Sequence, residues 1–300
     1  MKKSIVLLIT LALIVAISSL IYVGFEILEQ GSKETEKKRT LIQSTLFFSR
    51  LIEILKQREG DINSSEGMET LILLPIELKN EEVEIRVEFD SAAKGINPNN
   101  FLKKEANKSV IDPNYVLLFD RILQTYNVQN KDLFIAMIED TLDKDLDERI
   151  PGSELALYDK RFAQGSIENE RKFQILVDSY VRMTEDGNIK KVPWDDLLSF
   201  YAKRIDINYI SPKLLRFILP YLDEEAIRKL TNERDRLYEK IEDMHLAKED
   251  RDELKKYDVS SFVPVIFGEL KMELGDRKGR VRFVYDIKQK KVLNIEEKIF

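Results

Sequence analysis

The chain begins with an unbroken apolar run and never repeats it. No charged residue lies between Ile5 and Phe25, whereas Asp, Glu, Lys and Arg make up 34% of the whole sequence. At about 1.5 Å of rise per residue, such a run in helical form crosses a hydrocarbon core of about 30 Å. Further on, Phe47, Phe48, Leu51, Ile52 and Leu55 recur at spacings of three and four, and no Gly or Pro lies between Gly31 and Gly60. That pattern predicts an amphipathic helix continuing the membrane segment and packing on a soluble body. Val83, Ile85, Val87 and Phe89 then alternate with Glu82, Glu84, Arg86 and Glu88, the period of a half-buried strand. The interrupted run Leu71–Leu78 is its expected hairpin partner, turning at Lys79–Glu82.

Strand signals return only at the far end. Phe262–Glu273 reads as a strand with Gly268 as a candidate bulge, Gly275–Gly279 as a turn, and Val281–Ile287 as an alternating strand broken only by Val284. Lys291–Ile295 is a weaker last strand. Between these two sets, residues 95–258 show short apolar-periodic pieces and read almost wholly helical, ending in a long amphipathic helix over Asp223–Asp258. A two-stranded hairpin is marginal alone, so the N-terminal and C-terminal strands are expected to share one antiparallel sheet. The fold class is therefore α+β. An N-terminal transmembrane helix (5–27) leads into an α/β domain (28–94 and 259–300), with a large all-helical domain (95–258) inserted between strands.

The N-terminus admits three readings. A secretory signal has a shorter apolar region and a small-residue cleavage site behind it. A plain single-pass anchor, with Lys2 and Lys3 inside, places the body outside. A prepilin-like leader is a short basic segment ending in a small residue, which Lys2-Lys3-Ser4 before Ile5 matches, with cleavage between Ser4 and Ile5. The glutamate usual at the fifth mature position of such leaders is replaced by Ile9.

Composition narrows the chemistry. The net charge of −6 with mixed signs argues against nucleic acid, which needs a basic face to release counterions. There is no cysteine, and the single histidine, His245, lies in a charge-dense stretch and reads as a solvated helix residue. With no cysteine and one histidine, Cys-His catalysis is excluded, and Ser-His-Asp catalysis and His-ligated zinc are nearly so. No glycine-rich phosphate fingerprint occurs, and no small-molecule substrate is indicated.

The sharpest local pattern runs from Asp143 to Glu154. Asp143, Asp145, Asp147 and Glu154 occupy the first, third, fifth and twelfth places of a calcium loop, with Glu148 where a sixth-place glycine is expected. Asp140, one helical turn earlier, adds another carboxylate. Oxygen ligands suit a hard cation, and Ca²⁺ accepts an irregular cage more readily than Mg²⁺. A solvated acidic helix cap is the alternative.

Four segments, in order, then form a wider pattern: Phe89–Asn99 (Phe-Asp-Ser-Ala-Ala-Lys-Gly-Ile-Asn-Pro-Asn), Ile138–Asp145 with Gly152-Ser153-Glu154, Val192–Leu197, and Ile205–Leu215. Together with the leader they resemble the K-type minor pseudopilins of type II secretion systems, general secretion pathway protein K. Lys94 and Gly95 are swapped relative to that family's order, and Thr141 and Ser153 replace its tryptophan and alanine. The resemblance implies a pilin-like fold with an inserted helical domain that binds calcium through Asp140, Asp143, Asp145, Asp147 and Glu154. It implies a structural component and not an enzyme, processed by prepilin peptidase and methylated. Its place would be the inner membrane, single-pass, with the bulk of the chain in the periplasm. The implied partners are the I and J minor pseudopilins and the major pseudopilin, at the tip of the pseudopilus. Phe47, Phe48, Leu51 and Ile52 lie on the long helix where pilin-type subunits stack; those facing outward would be interface anchors and those facing the sheet core. The alternative function is a membrane-anchored, calcium-binding periplasmic interaction protein or a minor pilin of a related pilus.

Overall fold

The computed structural model describes residues 33–299 apart from 80–82, 106–107, 144, 235 and 275–276. Ser4, Ile5 and the expected membrane segment 5–27 lie outside the described residues. Among those described, no helix is long and apolar enough to cross a membrane. The chain divides into two compact units, one from Met1–Ala92 with Pro264–Phe300 and the other Ala93–Val263.

In the first unit, helix α1 (Lys33–Gln57) packs its apolar stripe on a five-stranded sheet. The strands are β1 (Ile76–Lys79), β2 (Val83–Ser91), β3 (Val265–Leu274), β4 (Arg277–Asp286) and β5 (Lys291–Ile299), in that spatial order and antiparallel throughout. An antiparallel sheet with one covered face agrees with the α+β class. Phe47, Phe48, Leu51 and Ile52 are all buried, so all four are core, and each such side chain contributes about 1.5–3 kcal/mol. Among the described side chains of α1, Ile42 and Leu46, one turn apart, are exposed large apolar residues.

Three sequence expectations change here. Leu71–Leu73 is helical, because Ser64 caps helix α2 (Ser65–Leu73) by accepting from Gly67 N–H at 3.1 Å. The strand begins only after Pro75. Gly268 forms no bulge, being paired in register with Phe89 and Phe283 on its two sides. It instead leaves room for the Phe283 ring, which an added Cβ would meet at 2.2 Å and which packs edge-on against Phe48 at 5.1 Å. The irregularity lies between Val284 and Tyr285, where two successive buried residues break the alternation.

The second unit is mainly helical but not wholly so. Leu102–Glu105 and Lys108–Ile111 form a two-stranded ribbon, and Ile205–Asp206 pairs in parallel with Val259–Ser260. The long helix expected over 223–258 is broken into Glu224–Thr231, a turn at Ile241–Asp243, and Lys248–Lys255. Its apolar seam is buried in pieces: Ile227, Leu230 and Met244 all belong to this unit's core. His245 is exposed, in the loop between the last two pieces. The larger helices are α3 (Pro113–Thr125), α4 (Lys131–Leu142) and α5 (Glu170–Thr184). They close on Trp194, whose ring stands 5.0 Å from Phe173 and 5.9 Å from Phe119.

The segment 93–97 runs through the middle of this unit. Ile96 forms a parallel bridge with Leu198, Gly95 N–H donates to Ser199 Oγ at 2.9 Å, and Asp206 N–H donates to the Ala93 carbonyl at 2.9 Å. A Cβ on Gly95 would come within 2.6 Å of the Leu197 carbonyl, so this crossing needs glycine. The Asp206 carboxylate, 1% exposed, accepts from Asn208 N–H and Val263 N–H, each at 2.9 Å. Burial pushes its pKa up to about 7 despite those donors. A carboxyl raised in the folded state contributes stability that is full below its unfolded value and lost as pH rises through about 7. The wild-type chain should therefore lose stability relative to Asp206→Asn between pH 5 and 7, by up to about 1.4 kcal/mol per pH unit. Thermal unfolding of both proteins across that range measures it, and a pH-independent gap would show an ordinary carboxylate.

Candidate functional site

The acidic loop lies in the second unit, between α4 and a helical turn at Leu155–Tyr158. Helix α4 ends at Leu142 because Asp143 turns extended, its N–H still bonded to the Glu139 carbonyl at 3.1 Å. The last turn therefore presents Glu139 and Asp140 to the loop that follows. At the other end Glu154 caps the next helical turn, its Oε1 accepting from Ala156 N–H at 2.9 Å. Glycine does the turning at Gly152, with φ of +94°, four places after the one a calcium loop of ordinary form would use.

Arg149 draws the carboxylates together. Its guanidinium Nη1 donates to Asp140 Oδ1 and, at 2.5 Å, to Asp143 Oδ2, and its Nε lies 3.3 Å from Glu139 Oε2. Asp140 is fully buried, and its Oδ2 accepts from Arg149 N–H at 3.2 Å and Ser153 Oγ at 2.5 Å. Glu154, also fully buried, accepts from Gln164 Nε2 at 2.7 Å, and the same amide donates to the Asp145 carbonyl. Asp143 Oδ1 is buried with no hydrogen-bond partner. Burial raises the pKa values of Glu139, Asp143 and Glu154. Burial alone would lower that of Arg149, but hydrogen bonds to Asp143 and Asp140 raise it instead.

Of the residues expected from sequence, Asp140 and Glu154 are fully buried and Asp143 lies beside Asp140 on the same guanidinium; the charges of Asp140 and Asp143 act on Glu154, and those of Asp145 and Asp140 on Asp143. Asp145 and Asp147 do not join them as carboxylates: both are exposed, and Asp145 Oδ1 accepts from Asp147 N–H at 3.1 Å in a local turn. Among the described residues no group of three or more such side chains stands as a ready-made metal cage. One guanidinium faces three carboxylates, and a buried oxygen of Asp143 is left without a donor. Sequence reasoning missed Glu139, Arg149, Ser153 and Gln164. Arg149 had a signal, as one of two cations, with Lys144, inside the acidic loop; Gln164 had none.

The remaining motif segments hold this unit together. Asn97 Nδ2 donates to the Phe200 and Ala202 carbonyls, and Asn99 bonds both the N–H and the carbonyl of Ile167. Asn208 does the same for Tyr238 and adds the Ser261 carbonyl. Phe89–Asn99, Val192–Leu197 and Ile205–Leu215 thus meet along 93–97.

No protein-family model and no curated protein matches the sequence. The fold is similar to a chain in the crystal structure of the GspK-GspI-GspJ complex from the enterotoxigenic Escherichia coli type 2 secretion system. That likeness has a TM-score of 0.62 and 12% identity, and covers 88% of this chain and 99% of the other. The likeness is one of fold, carried by both units, and the fold is GspK-like.

Proposed function

We propose that the chain is a minor pseudopilin of a type II secretion system, a structural part of the tip of the pseudopilus and not an enzyme. The observation that carries this reading is the fold likeness to a chain of the GspK-GspI-GspJ complex over nearly its whole length, insertion included. The leader supports it: Lys2-Lys3-Ser4 precedes the apolar run, and Ile9 stands where other pseudopilins carry glutamate. That carboxylate is what a subunit offers to the N-terminus of its neighbour, and an outermost subunit has no neighbour to meet. In this reading residues 5–27 span the inner membrane, the two units lie in the periplasm, and I-type and J-type minor pseudopilins are the partners.

Calcium belongs to the same reading. Asp140, Asp143 and Glu154 would hold the ion, with Glu139 and the Asp145 carbonyl within the same cluster, and the ion would supply the positive charge that the buried carboxylates lack. It would act as a fastener of the loop and takes part in no reaction.

Three measurements test these proposals. Mass spectrometry of the membrane-extracted protein should find a mature N-terminus at Ile5; an intact Met1–Ser4, or cleavage beyond Phe25, would remove the prepilin-like reading. Calcium at a hundredfold excess over Kd should stabilise the protein by about 2.7 kcal/mol, and Asp143→Ala with Glu154→Ala should abolish the shift. On α1, the double change Ile42→Asp with Leu46→Asp should cost about 2 kcal/mol or more at the interface and end co-purification with I-type and J-type partners, leaving circular dichroism unchanged. Leu51→Ala, in the core, should instead cost about 2–5 kcal/mol of folding stability. A folded double variant that still assembles would place the contacts elsewhere.

A further inference from the structure

Of the chain's asparagines, only Asn63 and Asn107 stand two places before a serine or threonine, at Ser65 and Ser109, and neither is followed by proline. That spacing is the acceptor pattern for N-linked glycosylation. Each also has an acid two places before it, Asp61 and Glu105, a further requirement of bacterial transferases that chance would seldom meet twice. Asn107 lies outside the described residues, but Asn63 is within them. It joins the helical turn Glu59–Ile62 to α2, at φ −82° and ψ 50°. We infer that Asn63 is an acceptor site for an N-linked oligosaccharide donated from a polyprenyl diphosphate. This rests on the periplasmic placement proposed above, because the donor is met on that side of the inner membrane.

The geometry suits the transfer. Asp61 and Ser64 are exposed, and Asn63 between them is half-buried. Asn63 Nδ2 donates to Glu59 Oε1 at 2.6 Å, and its backbone N–H donates to the Glu59 carbonyl at 2.8 Å. An amide nitrogen carries two hydrogens, so the bond to Glu59 leaves one for exchange. In the reaction Nδ2 bonds to the anomeric carbon of the first sugar, and the bond from that carbon to the diphosphate oxygen breaks. Polyprenyl diphosphate leaves with the electron pair, and the amide proton passes to a base of the transferase. The linked amide keeps its other hydrogen, so the contact with Glu59 survives. A transferase binds its acceptor extended, and this segment yields at small cost. Glu59–Ile62 is one turn with no side-chain cap at its start, and Ile62 is the only buried side chain from 58 to 65. The sugar stands beyond the end of α1, which is itself about three turns past Leu46, and so leaves the exposed pair Ile42 and Leu46 uncovered.

The test produces the full chain in bacterial cells that carry an acid-requiring oligosaccharyltransferase and its polyprenyl-diphosphate oligosaccharide, with an exported acceptor peptide as a control. The membrane-extracted protein is digested and the sugar located by tandem mass spectrometry. Most copies should carry one oligosaccharide on Asn63. Ser65→Ala should abolish it, and Asp61→Asn should lower occupancy about tenfold by removing one charge-assisted contact with the enzyme. The first readout needs no variant, so it decides the matter even if a variant fails to fold. Protease added to spheroplasts reports separately whether the body lies outside the inner membrane. A digested body with Asn63 unmodified, while the control peptide is glycosylated, would overturn the inference and leave the periplasmic placement standing. A sugar on Asn107 alone would do the same. A body that the protease does not reach, with Asn63 unmodified, would overturn both.

Discussion

Two neighbouring strands of one sheet are separated in sequence by a whole folded unit, and the molecule depends on making that possible. β2 and β3 pair in continuous register from Val83↔Leu274 to Ser91↔Ile266, with Ala92 N–H still donating to the Val265 carbonyl at 3.0 Å. The chain that leaves at Ala93 and comes back at Val263 must therefore have its two ends held together inside the second unit. Asp206 does this, its N–H on the Ala93 carbonyl and its carboxylate on Val263 N–H. Without such a clasp the loop-closure entropy of the insertion would fall on the β2–β3 ladder alone. With it, the insertion is a folded body whose ends are already adjacent.

The same economy of backbone bonds explains where charge is tolerated. In the second unit the buried carboxylates Asp112, Asp186 and Asp206 each accept from main-chain N–H groups of a turn or crossing. In the acidic loop Asp140 and Glu154 also accept main-chain N–H groups. Glu139 and Asp143 depend on one guanidinium, and a buried oxygen is left over.

Much of this was legible in the sequence, and the failures have definite causes. Alternation at Val83–Phe89 and Val281–Ile287 located the central strands because one face is covered and the other is wet. The stripe on α1 was legible for the same reason, although its four marked residues all proved to be core. The 223–258 segment misled because Ile227, Leu230 and Met244 keep helical spacing while packing into the core from separate pieces. Leu71–Leu73 misled because a capping serine outside the apolar run decided its conformation. The site was half legible. Carboxylate spacing named five acids, but spacing could not tell that Asp140, Asp143 and Glu154 turn inward while Asp145 and Asp147 stay exposed, nor that an arginine from the same loop meets Asp140 and Asp143.

The polar residues of the motif segments bear on what kind of protein this is. Asn97 gives both amide hydrogens to the Phe200 and Ala202 carbonyls and fills its oxygen with Asn99 N–H and Asn99 Nδ2. Asn208 is likewise saturated by Tyr238 and Ser261. An amide offers two donors and one acceptor oxygen, so neither residue has a group left to present to a substrate. Both tie one backbone crossing to the next, and the unit's interior is fixed by side-chain amides as well as by apolar packing.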